Sequence, residues 1–186
     1  MADWIFQGSP REHDLDARIA ASPEQWWGTP RYRDRMAAGD RVWVQVTGPH
    51  DPGIYYVATI VSATYEHPLQ PGEPTYARWR TDIRVGYRIR PPLLRSELLA
   101  DATLGSFLPF HGFQGSNVPV PADVAAALSE RAAPRLVTLP QPARGWPPSP
   151  ARLTVAGSLR GVPVVDQNRR PVETAGLEVL QRLLRL

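Results

Sequence analysis

Residues 79–90 read Trp79-Arg80-Thr81-Asp82-Ile83-Arg84-Val85-Gly86-Tyr87-Arg88-Ile89-Arg90. Successive side chains of an extended strand point to opposite faces. That alternation puts Trp79, Ile83, Val85, Tyr87 and Ile89 on one face and Arg80, Asp82, Arg84, Gly86, Arg88 and Arg90 on the other. The stretch is a strand with an apolar side and a ladder of arginines. Pro91-Pro92 is expected to end it, because proline donates no ladder hydrogen bond.

Upstream, Gly39-Asp40 is a turn opening Arg41-Val42-Trp43-Val44-Gln45-Val46-Thr47. Here Arg41, Trp43, Gln45 and Thr47 share one face and the valines the other. The β-prone run from Ile54 to Ala63 follows, so 40–63 reads as a hairpin. Residues 64–76, with Pro68, Pro71, Gly72 and Pro74, read as a loop. Nearer the start, Trp4-Ile5-Phe6-Gln7 is a short strand closed by Gly8-Ser9-Pro10, a short helix is expected over 14–21, and Ser22-Pro23-Glu24 has the form of a helix start. Downstream, a short helix is expected over 95–102 and a turn-rich loop over 107–117. Val118-Pro119-Val120 follows, and Pro121-Ala122-Asp123 starts a helix running to about Arg131.

After Pro134 the composition changes. Residues 136–150 hold five prolines and read as a linker. Beyond it lie two β-prone pieces, at 153–155 and 162–165, and a terminal helix over 173–186 with a stripe of Leu177, Leu180, Leu183 and Leu184. The expected organisation is a domain over 1–135, the linker over 136–150 and an extension over 151–186.

The composition, 42% apolar and 21% charged, is that of a folded chain. There is no cysteine, which removes disulfides, thiolate metal sites and cysteine nucleophiles together. His13, His50, His67 and His111 show no metal-binding spacing, and no phosphate-cradling glycine loop or nucleophile elbow is present. No metal, cofactor or catalytic residue is therefore expected, and the chain is read as a binding module rather than an enzyme. No run approaches 18 apolar residues and the first residues lack the form of a signal peptide, so a cytoplasmic protein without membrane contact is expected. All 21 basic residues are arginine, each a planar donor suited to phosphate and base edges. The net charge is only +3, and its excess lies late: residues 1–135 hold 14 Arg against 15 Asp and Glu, residues 136–186 hold 7 against 3.

Four stretches, in order, carry a family resemblance. They are Trp4-Ile5-Phe6-Gln7-Gly8-Ser9-Pro10; Trp27-Gly28-Thr29-Pro30-Arg31-Tyr32-Arg33-Asp34 with Ala38-Gly39-Asp40-Arg41-Val42; Pro52-Gly53-Ile54-Tyr55 leading into Ala58-Thr59-Ile60-Val61; and Phe113-Gln114-Gly115-Ser116-Asn117-Val118-Pro119-Val120-Pro121. Over the first 130 residues the chain resembles the EVE domain, a PUA-like fold related to the YTH readers, of the type found in bacterial modification-dependent restriction systems. The resemblance implies an α+β fold, a small mixed β-barrel with flanking short helices. It implies a reader of a modified nucleobase, foremost 5-methylcytosine or 5-hydroxymethylcytosine in DNA, flipped into an aromatic pocket. DNA is favoured over RNA, and a nuclease is a possible partner.

The resemblance places Trp27, Gly28, Thr29, Gln114, Ser116 and Asn117 at the base pocket. Gln45 stands where the family often carries Tyr or Trp, and Trp43, two residues away on the same face, is available in its place. Arg31, Arg33, Arg84, Arg88 and Arg90 are candidates for phosphate contacts, which position a strand without reading it. Each of these has a plainer reading: Trp27 and Trp43 as core, the ladder as a solvated strand face. Two other functions fit the same residues. One is an RNA-binding module of the PUA type indifferent to modification. The other is a protein-interaction scaffold built on the terminal leucine stripe.

Overall fold

The computed structural model describes residues 1–9, 14–48, 50–112 and 115–140. The terminal helix, its leucine stripe, both late β-prone pieces, most of the linker, and Gln114 all lie outside the described residues.

The sheet is built on the stretch quoted at the outset. Strands β1 (Asp3–Gly8), β2 (Glu24–Gly28), β3 (Arg41–Val46), β4 (Gly53–Ile60), β5 (Tyr65–Glu66), β6 (Trp79–Leu94), β7 (Asn117–Val120) and β8 (Leu136–Thr138) join in one mixed sheet. Its order is β2-β6-β4-β3-β1-β7, with β5 and β8 also on β6. Only β1 and β3 pair in parallel, Trp4 beside Val42 and Gln7 beside Gln45. The sheet curls into a half-barrel flanked by α1 (Leu15–Ala21), α2 (Arg95–Ala100) and α3 (Ala122–Ala132), the expected α+β fold.

Both faces of the central strands are buried, each by a different partner. Trp4, Phe6, Val42, Val44, Tyr56, Ile83 and Val85 close on one another and on Leu15 and Ile19 of α1. The alternate residues Ile5 and Trp43, joined by Ile54, Ile89 and Leu93 from beyond the β4–β6 irregularities, pack under Leu98 of α2 and Val124 and Leu128 of α3. The period-two pattern holds along β1 and β3, where the polar-looking face of β3 is core as well: Trp43 is 2% exposed and Gln45 3%. It fails along β6, where Arg80 is 5% exposed, Tyr87 is 43% exposed, and Ile83 and Ile89 enter opposite cores across the irregularities of the β4–β6 ladder.

Three local expectations are corrected. Ser22-Pro23-Glu24 starts β2, not a helix. The Ser22 hydroxyl caps a tight turn by accepting from the Glu24 N–H, and the Pro23 carbonyl accepts from the Val85 N–H, which commits the chain to the β6 ladder. Trp26 and Trp27, both good strand residues, then pair opposite Asp82 and Thr81. Second, β6 does not end at Pro91-Pro92. Between the pairs Tyr56–Arg88 and Ile54–Leu93, residues 89–92 of β6 stand against Tyr55 alone, so both prolines sit in an irregularity where no ladder bond is asked of them. Third, the first residues of the expected linker are strand β8, with Leu136 opposite Ile89 and Thr138 opposite Tyr87.

One buried charge fastens the chain's start. Asp40, 5% exposed, accepts from the Ala2 N–H (2.7 Å), the Trp4 indole N–H (3.1 Å) and the Ala37 N–H (3.1 Å). Burial by itself raises a carboxyl pKa, but these donors outweigh it and hold Asp40 below the ordinary aspartate value. A depressed folded-state pKa gives stability that is full above the unfolded value of about 3.9 and lost as pH falls through the lower folded one. Asp40→Asn is therefore expected to lower stability near neutral pH and to flatten the stability loss below about pH 4. Denaturant melts of both proteins from pH 7 to pH 2 check this, and parallel curves would remove Asp40 from the acid response.

Candidate nucleic-acid interface

A cavity of about 790 Å³ opens where the turn after β1 meets β2 and the segment before β7. Its size lies within the range of small-molecule and base-sized binding sites. One wall is aromatic and comes from β2 and its neighbours: Trp26, Trp27, Gly28 and Tyr76. The floor is polar: Gln7 from β1, Gln45 from β3 and Ser116. Three arginines rim it, Arg18 of α1, Arg31 after β2 and Arg95, the first residue of α2.

Trp27 serves the core and the cavity at once. It is 9% exposed, packs 5.9 Å from Phe6 centroid to centroid, and its indole N–H donates to the Gln7 carbonyl at 3.2 Å. Gly8 allows the ring to lie so close, since a Cβ there would sit 3.1 Å from two Trp27 ring carbons. Trp26 is more open and is flanked by two cations, the Arg80 guanidinium 3.9 Å and the Arg18 guanidinium 5.9 Å from its ring centre.

Gln7 ties the floor together. Its side-chain N–H donates to Gln45 Oε1 (3.0 Å), its own Oε1 accepts from the Gly115 N–H (3.2 Å), and its backbone N–H donates to the Ser116 carbonyl (3.0 Å). Gln45 also donates to the Pro109 carbonyl at 3.4 Å. The side-chain oxygens of Gln7 and Gln45 thus each hold a donor already, while the arginines bring donors only.

The three arginines differ from most of the others among the described residues in their surroundings, and Arg35 and Arg90, which share their lack of an ion pair, lie off the cavity. Arg41, Arg78, Arg80, Arg84, Arg88, Arg131 and Arg135 each reach a carboxylate within 3.3 Å. Among the described residues no Asp or Glu lines the cavity, and Arg18, Arg31 and Arg95 have no ion pair. Partial burial holds the Arg18 guanidinium below the ordinary arginine pKa, as befits a half-buried cation without a counter-charge. Arg95 Nε is fully covered and has no hydrogen-bond partner.

The structure gathers some of the expected site residues and disperses others. Trp27, Gly28, Gln45, Ser116 and Arg31 line the cavity. Thr29 does not: it is fully buried, its hydroxyl 2.8 Å from that of Thr81 behind the wall. Asn117, 1% exposed, sits behind the rim and donates to the Arg31 carbonyl, so it places Arg31 rather than a ligand. Trp43 lies in the helix-side core with its N–H on Asp3 (2.9 Å) and does not replace the aromatic absent at Gln45. The ladder arginines are off the cavity. Arg84 lies directly opposite Glu24 in the register and pairs with it at 2.6 Å, Arg88 pairs with Asp16 at 2.6 Å, and Arg90 is exposed. Arg33 lies over the Trp79 ring at 4.1 Å.

Gln7, Arg18, Trp26, Tyr76 and Arg95 were not expected at the site. Gln7 carried a signal: a glutamine ending an otherwise apolar strand, inside one of the four resemblance stretches. Trp26 stands beside the expected Trp27 on β2, while Arg18, Tyr76 and Arg95 reach the cavity from elements far apart in sequence, and no spacing joins them.

No helix among the described residues is long and apolar enough to cross a membrane. No curated protein matches the sequence. Solved structures share the fold. A protein of Pseudomonas syringae is 24% identical with a TM-score of 0.59, over 70% of this chain and 99% of that one. A hypothetical protein of Leishmania major is 20% identical with a TM-score of 0.58, over 72% and 96%. The human THYN1 protein, solved in complex with 5-methylcytosine containing DNA, is 14% identical with a TM-score of 0.55, over 71% and 98%. The sequence profile of the EVE domain matches residues 2–131, and the chain belongs to the EVE domain family.

Proposed function

We propose that the cavity receives a single nucleobase turned out of its strand, and that the preferred base is a 5-modified cytosine in DNA. The observation that carries this reading is the pairing of an aromatic wall with three arginines that have no carboxylate to answer them. A flat apolar guest with an anionic backbone satisfies both. That the fold of the human THYN1 protein holds DNA containing 5-methylcytosine supports the same ligand class.

Magnitudes decide how selectivity must arise. Turning out a base costs a few kcal/mol of stacking. A stack on an indole returns roughly 1–3 kcal/mol. A buried methyl adds only about 0.8 kcal/mol, less than a fivefold preference. Contacts to the polar edge of the base must supply the remainder, since a buried polar group left unpaired costs roughly 1–3 kcal/mol. Gln7, Gln45, Ser116 and Arg95 are the groups in place for it.

The test is fluorescence anisotropy on matched duplexes carrying cytosine, 5-methylcytosine, 5-hydroxymethylcytosine or N6-methyladenine. The expected result is preferential binding to a cytosine-modified duplex, weakening as salt rises. Equal, salt-sensitive affinity for all four duplexes would sink the reader and leave a general polyanion binder.

A further inference from the structure

We propose that Arg95 determines which base the cavity accepts, by donating in parallel to two adjacent acceptors on the base edge; this rests on the reading above. Cytosine, once unpaired, offers such a pair in N3 and O2. Adenine does not, because on each of its hydrogen-bonding edges a ring acceptor stands beside the N6 amino donor, and N6-methyladenine keeps one of those N–H groups.

Four observations point to Arg95. Its side chain lines the cavity without a carboxylate partner, and because its Nε is covered by the protein, the two terminal nitrogens beside Gly112 are the parallel donors a guest can reach. Its position is held by the backbone: the Arg95 N–H donates to the Pro52 carbonyl at 2.7 Å. On the other side a Cβ at Gly112 would lie 3.4 Å from an Arg95 terminal nitrogen, and Gly112 has a φ of +93°, where a side chain is strained. Three of the cavity's acceptors each hold a donor already: Gln45 Oε1 from Gln7, Gln7 Oε1 from Gly115, and the Gln7 carbonyl from Trp27. A guest rich in acceptors matches this donor surplus, and a guest presenting an amino group to Arg95 meets a donor with a donor.

A phosphate contact would also suit Arg95, and the two roles leave different signatures. Loss of a phosphate contact weakens all sequences equally and lowers the salt slope by about 1, whereas loss of a base contact changes discrimination and leaves the slope alone.

The experiment compares the full-length chain with Arg95→Lys and Arg95→Gln on duplexes carrying 5-methylcytosine or N6-methyladenine, over a salt series, with thermal melts to verify folding. Lysine keeps the charge but not the parallel donors. Both variants are expected to melt as wild type does. Both should lower the ratio of the two affinities by roughly five- to a hundredfold, as expected for a bidentate arginine contact. An unchanged ratio, or a uniform loss with a reduced salt slope, overturns the assignment while leaving the reader intact. A wild-type preference for N6-methyladenine does the same. A wild type with no preference overturns both.

Discussion

Trp27→Ala is expected to lower folding stability by about 3–5 kcal/mol and to abolish measurable preference among modified duplexes. The first effect follows from burial. The indole is 9% exposed, packs on Phe6, and bonds to the Gln7 carbonyl, the same residue that organises the cavity floor. With typical domain stabilities of about 5–15 kcal/mol, such a loss lowers the melting temperature by roughly 10–20 °C and brings the protein near its threshold. The second effect follows from position, since the lost wall is worth roughly 1–3 kcal/mol to a stacked base. Because the two effects arrive together, loss of binding in the alanine variant is ambiguous unless the fold is measured with it. Trp27→Phe separates them. It keeps an aromatic ring in the core but loses the N–H to Gln7, so it is expected to melt between wild type and Trp27→Ala and to retain part of the preference. Calorimetry beside anisotropy at a temperature where all three are folded checks this. A folded Trp27→Ala protein with the wild-type preference would make Trp27 a core residue alone and leave the stacking to Trp26.

This double role explains which parts of the molecule were legible beforehand. The sheet was, because alternation in β1 and β3 is a local property of the chain and survives whichever partner covers each face; along β6 the ladder irregularities turn Tyr87 out and Ile89 to the helix side. What alternation cannot report is that both faces are covered, so Trp43 looked available for a pocket although α2 and α3 bury it. The start of β2 was misread because a serine–proline pair is a fair helix signal locally, while the Val85 N–H that captures the Pro23 carbonyl lies some sixty residues away in sequence. The arginine ladder was misweighted for a similar reason. Arg84 and Arg88 are conspicuous in sequence, yet the register sets Glu24 and α1 sets Asp16 against them. In the cavity the logic inverts. Arg18 and Arg95 are unremarkable in their own segments, and with Arg31, which the resemblance stretch already marked, they acquire meaning from the acids that the fold keeps away from them. The family stretches marked Trp27, Gly28 and Ser116 at the site, but composition could not, because an absent counter-charge is a property of three dimensions.

That absence yields the second large effect. Replacing Arg18 and Arg31 together by glutamine is expected to weaken binding to every DNA duplex by roughly thirty- to a hundredfold near 0.1 M salt, and to lower the slope of log affinity against log salt by about 2. The estimate treats each as one neutralised phosphate, contributing about 0.9 to the slope on B-form DNA. Preference among modified bases should persist, since phosphate contacts position a strand and base contacts read it. Stability should hardly change, because neither guanidinium has a carboxylate partner in the fold and Arg18 gives up a desolvated charge. The ladder provides the control. Arg84→Gln removes an exposed pair with Glu24 worth at most about 1 kcal/mol and should leave both affinity and salt slope near wild type. If instead Arg84→Gln reduces the slope and the Arg18, Arg31 double variant does not, the DNA runs along the face of β6 and not across the cavity rim, and the cavity is not where the strand is held.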